Sequence, residues 1–427
     1  MRKSCAAVLL LVLTALPVRA GGAEEEGTCS LGGYVRNFSL FLAPASLKRG
    51  GDVIKEPDLG STINRLRLEV LDRLSSALSL EVEYELSALI QDPRLFQESG
   101  LFVGPSSLEY RAADFRQRLV PAPGAEARSF GLGHNLDRFV LTWKTGAADI
   151  FLGRQVVSWG SARMVNPTDV LVPFAFNEPD KEERRGVDAL RVRVPLGMMD
   201  EIDLGFLAGR DLEPGKNAFF LRLKTYLFKT DVSLLTLSFR RHLLVGVDLA
   251  RSLGEAGIWC EAAWVRPQAF LGEPGSQGHG GDYVRLSAGL DRNLSRVLYA
   301  FVEYHFNGAG SRRPEDSMSL LRTPAYIDGS VYLYGRHYIA LGSVLQVMPL
   351  APLSSIFLLN LNDRSLMLAP SLEINIAENI YLAAGGYLGL GRKPEHILGP
   401  LDIPPLMLHS EFGAYPDVVF TSFRAYF

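Results

Sequence analysis

The segment SLEVEYEL, residues 79–86, alternates strictly: Leu80, Val82, Tyr84 and Leu86 share one face, and Glu81, Glu83 and Glu85 share the other. A period of two belongs to an extended strand whose two faces meet different surroundings. NRLRLEVL (64–71) repeats it, with Arg65, Arg67 and Glu69 opposite Leu66, Leu68 and Val70. So do ALRVRVP (189–195), FLRLKTYL (220–227), YVRLSAGLD (283–291) and SLEINI (371–376). About eighteen such segments run along the chain, at 33–43, 62–75, 77–90, 135–146, 147–160, 186–197, 200–210, 217–229, 231–241, 242–253, 256–267, 282–294, 296–308, 336–348, 354–364, 366–379, 380–391 and 418–427. Each has the length of a tilted membrane-spanning strand, where a soluble sandwich uses strands about half as long.

The links between segments alternate as well. Ser75-Ser76, Thr145-Gly146-Ala147, Gly197-Met198-Met199, Gly254-Glu255, Ser295 and Glu378-Asn379 are short. The stretches 44–61, 91–134, 161–185, 268–281, 309–335 and 392–417 are long. Short turns at one end and long loops at the other predict an all-β fold: a single transmembrane antiparallel β-barrel of about eighteen strands, with sixteen as the alternative. The turns would be periplasmic and the loops extracellular.

Composition narrows the class. The 427 residues carry 44 basic and 47 acidic side chains, a net charge of −3, which gives no basic excess for nucleic acid. MRKSCAAVLLLVLTALPVRA has the charged start, short apolar run and small-x-small end of a secretory signal peptide, with cleavage expected after Ala20. Residues 21–32 then form a short periplasmic segment and 33–427 the barrel. Only Cys29 and Cys260 follow the leader, so no disulfide framework is expected.

In a membrane barrel the apolar face meets lipid and the polar face lines the lumen. This places Arg65, Arg67, Glu81, Glu83, Glu85, Arg138, Lys144, Arg191, Arg193 and Arg222 toward the pore. Asp203, Lys224, Arg285, Glu303, His305 and Arg424 join them. The lining is mixed in sign, which fits a general polar conduit; one sign alone would argue for ion selectivity. So wide a lumen must hold water or inserted loops. Trp143, Trp264, Tyr304, Phe306 and Tyr338 fall at strand ends on the expected outward face, as an aromatic girdle requires.

Catalytic and metal chemistry finds no support. The histidines (His134, His242, His279, His305, His337, His396 and His409) form no H-E-x-x-H, and neither a G-x-S-x-G nor a P-loop occurs. No enzyme, metal or cofactor is expected. His305 beside Glu303 is a weak exception, read as a wall histidine.

GRQVVSWGSARMVNPTDVLVPF, 153–174, leaves a strand and enters the third long loop. Asn166-Pro167-Thr168-Asp169 is a turn, and EPDKEERR (178–185) is a dense charged run. The constriction candidates are Arg154, Arg163, Asp169, Glu178, Asp180, Lys181, Glu182, Glu183, Arg184 and Arg185. Unmodified pairing would aim Arg154 at lipid, and a bulge at Gly153 would re-aim it inward.

G-R-Q-x-x-x-W-G, N-P-x-D and R-R-G-V-D-A-L-R-V together resemble a pattern shared by little-characterised porin-like outer-membrane proteins, and more distantly by alginate-export barrels. VVFTSFRAYF, with Phe423 and a final Phe427, resembles the terminal strand of Gram-negative outer-membrane barrels. Those resemblances imply an outer-membrane location amid lipid and lipopolysaccharide, and recognition of the last strand by the barrel-insertion machinery. The expected function is a porin-like channel for passive diffusion of small hydrophilic solutes. The alternatives are a specific channel or exporter for anionic saccharides or carboxylates, and a loop-plugged structural or adhesion barrel.

Overall fold

The computed structural model describes residues 29–49, 52–97, 110–115, 117–121, 129–173, 183–270, 281–396 and 406–427. The predicted leader, and the constriction candidates Glu178, Asp180, Lys181 and Glu182, lie outside the described residues. Eighteen strands form one closed antiparallel barrel. They are β1 (Cys29–Ala43), β2 (Leu59–Arg73), β3 (Leu78–Gln91), β4 (Phe130–Lys144), β5 (Asp149–Gln155) and β6 (Val187–Pro195). Next come β7 (Glu201–Leu207), β8 (Ala218–Leu227), β9 (Thr230–Phe239), β10 (His242–Leu253), β11 (Ala256–Arg266) and β12 (Tyr283–Asn293). The last are β13 (Leu298–Asn307), β14 (His337–Met348), β15 (Ala351–Asn360), β16 (Leu366–Ala377), β17 (Ile380–Leu390) and β18 (Asp417–Tyr426). Among the described residues no helix is long and apolar enough to cross a membrane.

Each strand pairs with its sequence neighbours, through short turns at one end and mostly long loops at the other. β18 then pairs with β1, from Tyr34 opposite Tyr426 to Ala43 opposite Asp417. Phe427 exchanges backbone hydrogen bonds with Gly33 at 3.0 and 3.1 Å. Closure leaves no open sheet edge, which a bilayer would penalise. β1 begins at Cys29, earlier than the 33 expected from the pattern.

The outward face carries exposed Leu221, Leu223, Leu234 and Val419, as lipid contact requires. Trp143 and Tyr304 also stand outward. Tyr338 corrects the girdle expectation: it pairs with His305, points inward and is fully buried. A small sheet of 47–49, 52–54, 395–396 and 406–407 ties the first and last long loops together.

The interior departs from a water-filled tube. Leu235, Leu237, Phe239, Leu244, Ala263 and Val265 face inward at the long-loop end of β9–β11 and are buried. They pack with Tyr110, Val157, Trp159, Val170, Leu171 and Val172 from the long loops. Strand parity alone reads such apolar inward positions as misplaced. Infolded loops give them a dry partner instead.

Candidate functional site

The segment after β5 enters the lumen, where inward carboxylates of the wall hold it by its backbone. Glu303 on β13 accepts from the amides of Arg163 (2.6 Å), Met164 (3.2 Å) and Val165 (3.1 Å), and from Trp259 Nε1 (3.0 Å). Glu261 on β11 accepts from the amide and hydroxyl of Thr168, both 2.7 Å, and from the Ala162 amide at 3.2 Å. Ser161 donates to Asp248 on β10. A chain entering a lumen must satisfy its amides, and charged acceptors do this most strongly. The turn at Asn166-Pro167-Thr168-Asp169 bends the chain so that amides on both sides reach the wall.

Arg163 is the cation this segment presents. Its guanidinium donates to Asp291 at 2.7 Å and lies 5.3 Å from the Trp259 ring centroid. Its side chain stays 51% exposed, so it faces water. Asp169 is buried and pairs with Arg184, which also donates to the Val172 carbonyl at 3.2 Å. Arg185 is exposed.

A second network lies on β2–β4. The Arg67 side chain, 0% exposed, reaches Glu85 (2.8 Å), Glu69 (3.1 Å), Asp137 and Glu183 (each 3.4 Å), and also pairs with Glu83. Arg138 joins Asp137 and donates to the Arg184 carbonyl at 2.7 Å. Arg65 lies 3.8 Å from Glu85. The register shifts between Glu83 and Tyr84 at β4, so Asp137 is the extra residue of a bulge and turns into the network.

Arg154 settles differently from both expectations. Gly153 has φ +117°, and β5 ends soon after, at Gln155. Arg154 lies opposite Phe139 and Asp188, and its guanidinium bonds Asp188 (2.7 Å), Asp114 (3.2 Å) and the Leu136 and Ala113 carbonyls. It fastens segment 110–115 to the rim and does not enter the constriction.

The other predicted lumen residues share the inward face. Arg191 bonds Asp203 at 2.8 Å, Arg222 donates to Ser233 at 2.7 Å, and Arg193 lies 5.1 Å from the Phe151 ring. Glu81, Lys144 and Lys224 sit toward the short-turn end. Arg67, Arg191, Arg285, Glu303 and His305 are buried, which corrects the expectation of a solvated wall there. Infolded chain or neighbouring charge covers them.

His305 sits 2.8 Å from the Ser287 hydroxyl, but that hydroxyl donates to the Val165 carbonyl at 2.6 Å. A serine whose proton is committed to a carbonyl is not primed by a base. No described carboxylate orients the imidazole.

Glu261, Asp248, Asp291 and Arg36 were not singled out in the sequence, although alternation assigns Glu261 the face opposite Cys260. The signal was parity. What hid their role was that their partners lie between 87 and 386 residues away in sequence, on the infolded segment for Glu261, Asp248 and Asp291 and on β18 for Arg36. Asp137 had no parity signal, because bulges break it.

A cavity of about 300 Å³ opens along β15–β18 and β1. Arg36, Arg424 and Glu373 border it, together with Ser354, Ser371 and Ser422.

No protein-family model matches this chain, and no curated protein matches it in sequence. Solved structures do match. OccAB2 of Acinetobacter baumannii is 10% identical, with 94% of this chain and 98% of that one covered at a TM-score of 0.53. OccAB3 of the same organism is 11% identical, with 93% and 99% covered and a TM-score of 0.52. OprD of Pseudomonas aeruginosa is 8% identical, with 93% and 95% covered and a TM-score of 0.52. The fold is that of a porin-like barrel. At such identity the likeness reaches no further than the fold.

Proposed function

We propose that this protein is an outer-membrane channel for passive diffusion of small hydrophilic solutes. The carrying observation is the division of the lumen. Infolded chain packs against inward apolar positions on both sides of the barrel, with Val170 and Leu171 beside β9–β11 and Tyr332, Leu333 and Phe412 beside β14–β18 and β1, while a cavity bordered by charged and hydroxyl groups stays open along β15–β18 and β1. Arg163 on the infolded segment stays half exposed beside Asp291, a charge a mere plug or scaffold has no need to present. The outer-membrane location follows from the lipid-facing apolar band and the porin-like fold, and lipid and lipopolysaccharide are its surroundings there. Phe423 and Phe427 on the closing strand fit recognition by the insertion machinery.

The Arg163 guanidinium and the mixed charges of Arg193, Arg222, Glu81 and Lys224 form the proposed lining. The G-R-Q-x-x-x-W-G stretch resembles that of alginate-export barrels, but the mixed lining favours small solutes over an anionic polymer. The Ser287–His305 geometry offers no nucleophile, so the reading is not enzymatic.

Planar-bilayer recording on purified protein tests this. Small ohmic single-channel steps are expected, because infolded chain occupies part of the lumen. Arg163→Glu is expected to shift reversal potentials toward cation preference, most strongly at low salt. Absence of any conductance would favour the plugged barrel.

A further inference from the structure

We propose that the cavity on the β15–β18 and β1 wall is a subsite for a neutral, pyranose-sized sugar. This rests on the channel reading and names the class of solute the channel holds. The volume, about 300 Å³, is at the lower end of the ~300–1,000 Å³ usual for small-molecule sites.

One side of the cavity is paved by rings. Phe420 lies across Gly385 of the neighbouring strand, where an added Cβ would stand 2.6 Å from the ring's Cζ. Only glycine lets that ring rest against the wall, and a ring so placed turns a face toward the lumen. Phe38 on β1 follows at 5.5 Å between centroids, with planes 24° apart. Tyr387 on β17 stands at 6.0 Å and 31°. Phe420 and Tyr387 therefore border the cavity as two tilted rings on adjacent strands, with Phe38 buried against Phe420 behind them, an apolar surface suited to the C–H face of a sugar ring.

The other side is polar in both senses. Arg424 pairs with Glu373 across β16–β18, and the Arg36 Nε donates to the Ser422 hydroxyl at 3.2 Å. Ser354 and Ser371 are cross-strand partners beside them. Guanidinium donors, a carboxylate acceptor and hydroxyls of either role are together what neighbouring hydroxyls of a sugar need, since each is both donor and acceptor. A solute carboxylate would meet Glu373, and a hydrocarbon would strip water from these charged groups and offer them nothing in exchange. The combination of paving and balanced polarity selects a neutral polyol with one apolar face.

Saturation-transfer NMR on the full barrel in detergent, with glucose, glucuronate and benzoate as probes, reads binding whether or not the protein conducts. Transfer to the ring C–H protons of glucose is expected. Ser371→Leu, which fills the cavity, and Ser422→Leu are each expected to weaken it at least about tenfold, with heat-modifiable gel mobility confirming folding. Transfer to benzoate and glucuronate but not glucose would overturn the proposal, as would glucose transfer untouched by both variants. The two readings fail separately: bilayer current without glucose transfer removes the subsite alone, whereas glucose transfer without current removes the channel alone. Absence of both removes both.

Discussion

Glu303 shows what one residue does here. It accepts from three consecutive backbone amides and an indole, so one carboxylate fixes the entry of the infolded segment. Replacing it strands buried donors, and each costs about 1–3 kcal/mol. Glu303→Ala is expected to lower stability by roughly 3 kcal/mol, read as the urea-unfolding midpoint of refolded protein. The same variant should raise single-channel conductance, because the segment loses its seat. Unchanged conductance together with unchanged stability would show that other contacts hold the segment. The residue was visible in the sequence as an inward glutamate. Its partners, at 163–165, were not, because only the closed barrel brings β13 to that loop.

At the scale of elements, β5 and the loop it feeds depend on Gly153. Its φ of +117° is a conformation that side-chain-bearing residues rarely adopt, and an added Cβ would stand 2.1 Å from the Phe139 carbonyl oxygen. That geometry turns Arg154 to Asp188 and Asp114. Gly153→Ala is expected to destabilise by more than about 2 kcal/mol, from backbone strain and the clash together. Proteolysis of segment 110–115 should accelerate in parallel, and a variant as protease-resistant as the parent would remove this assignment. The alternation had marked β5 as irregular. The choice between a lipid-facing and a lumen-facing Arg154 was open, since neither included the covering segment 110–115.

For the whole molecule, the long loops behave as one cap. Glu411, between β17 and β18, accepts from Tyr338 Oη (2.5 Å), the Tyr334 amide (2.9 Å) and Asn360 (2.8 Å), so three loop-bearing regions meet at one carboxylate. Burial pushes its pKa up from 4.5 to about 7, and Asp363 nearby pushes the same way. The phenols of Tyr338, Tyr334, Tyr415 and Tyr326 are further titratable groups near it. The folded value lies above the unfolded one, so the neutral form favours the seated cap. That contribution is complete below about pH 4.5 and is lost as pH rises through about 7. Amide exchange in 406–416 is therefore expected to be slower at pH 5 than at pH 8, after correction for intrinsic rates. Glu411→Gln should flatten that difference, and an unaltered pH profile in the variant would place the titration elsewhere.

The sequence by itself determined the barrel class, a strand count of about eighteen, and the short-turn and long-loop ends. These are local properties: a period of two, and turn residues between strands. Tertiary structure alone decided what fills the lumen. Infolded chain converts apolar inward positions such as Leu237 and Leu244 into a dry core, buries Glu303, His305 and Arg285, and leaves a cavity along the β15–β18 and β1 wall. The reason is physical. Alternation reports which side a residue faces, whereas a loop's destination depends on acceptors contributed by strands 87 to 140 residues away.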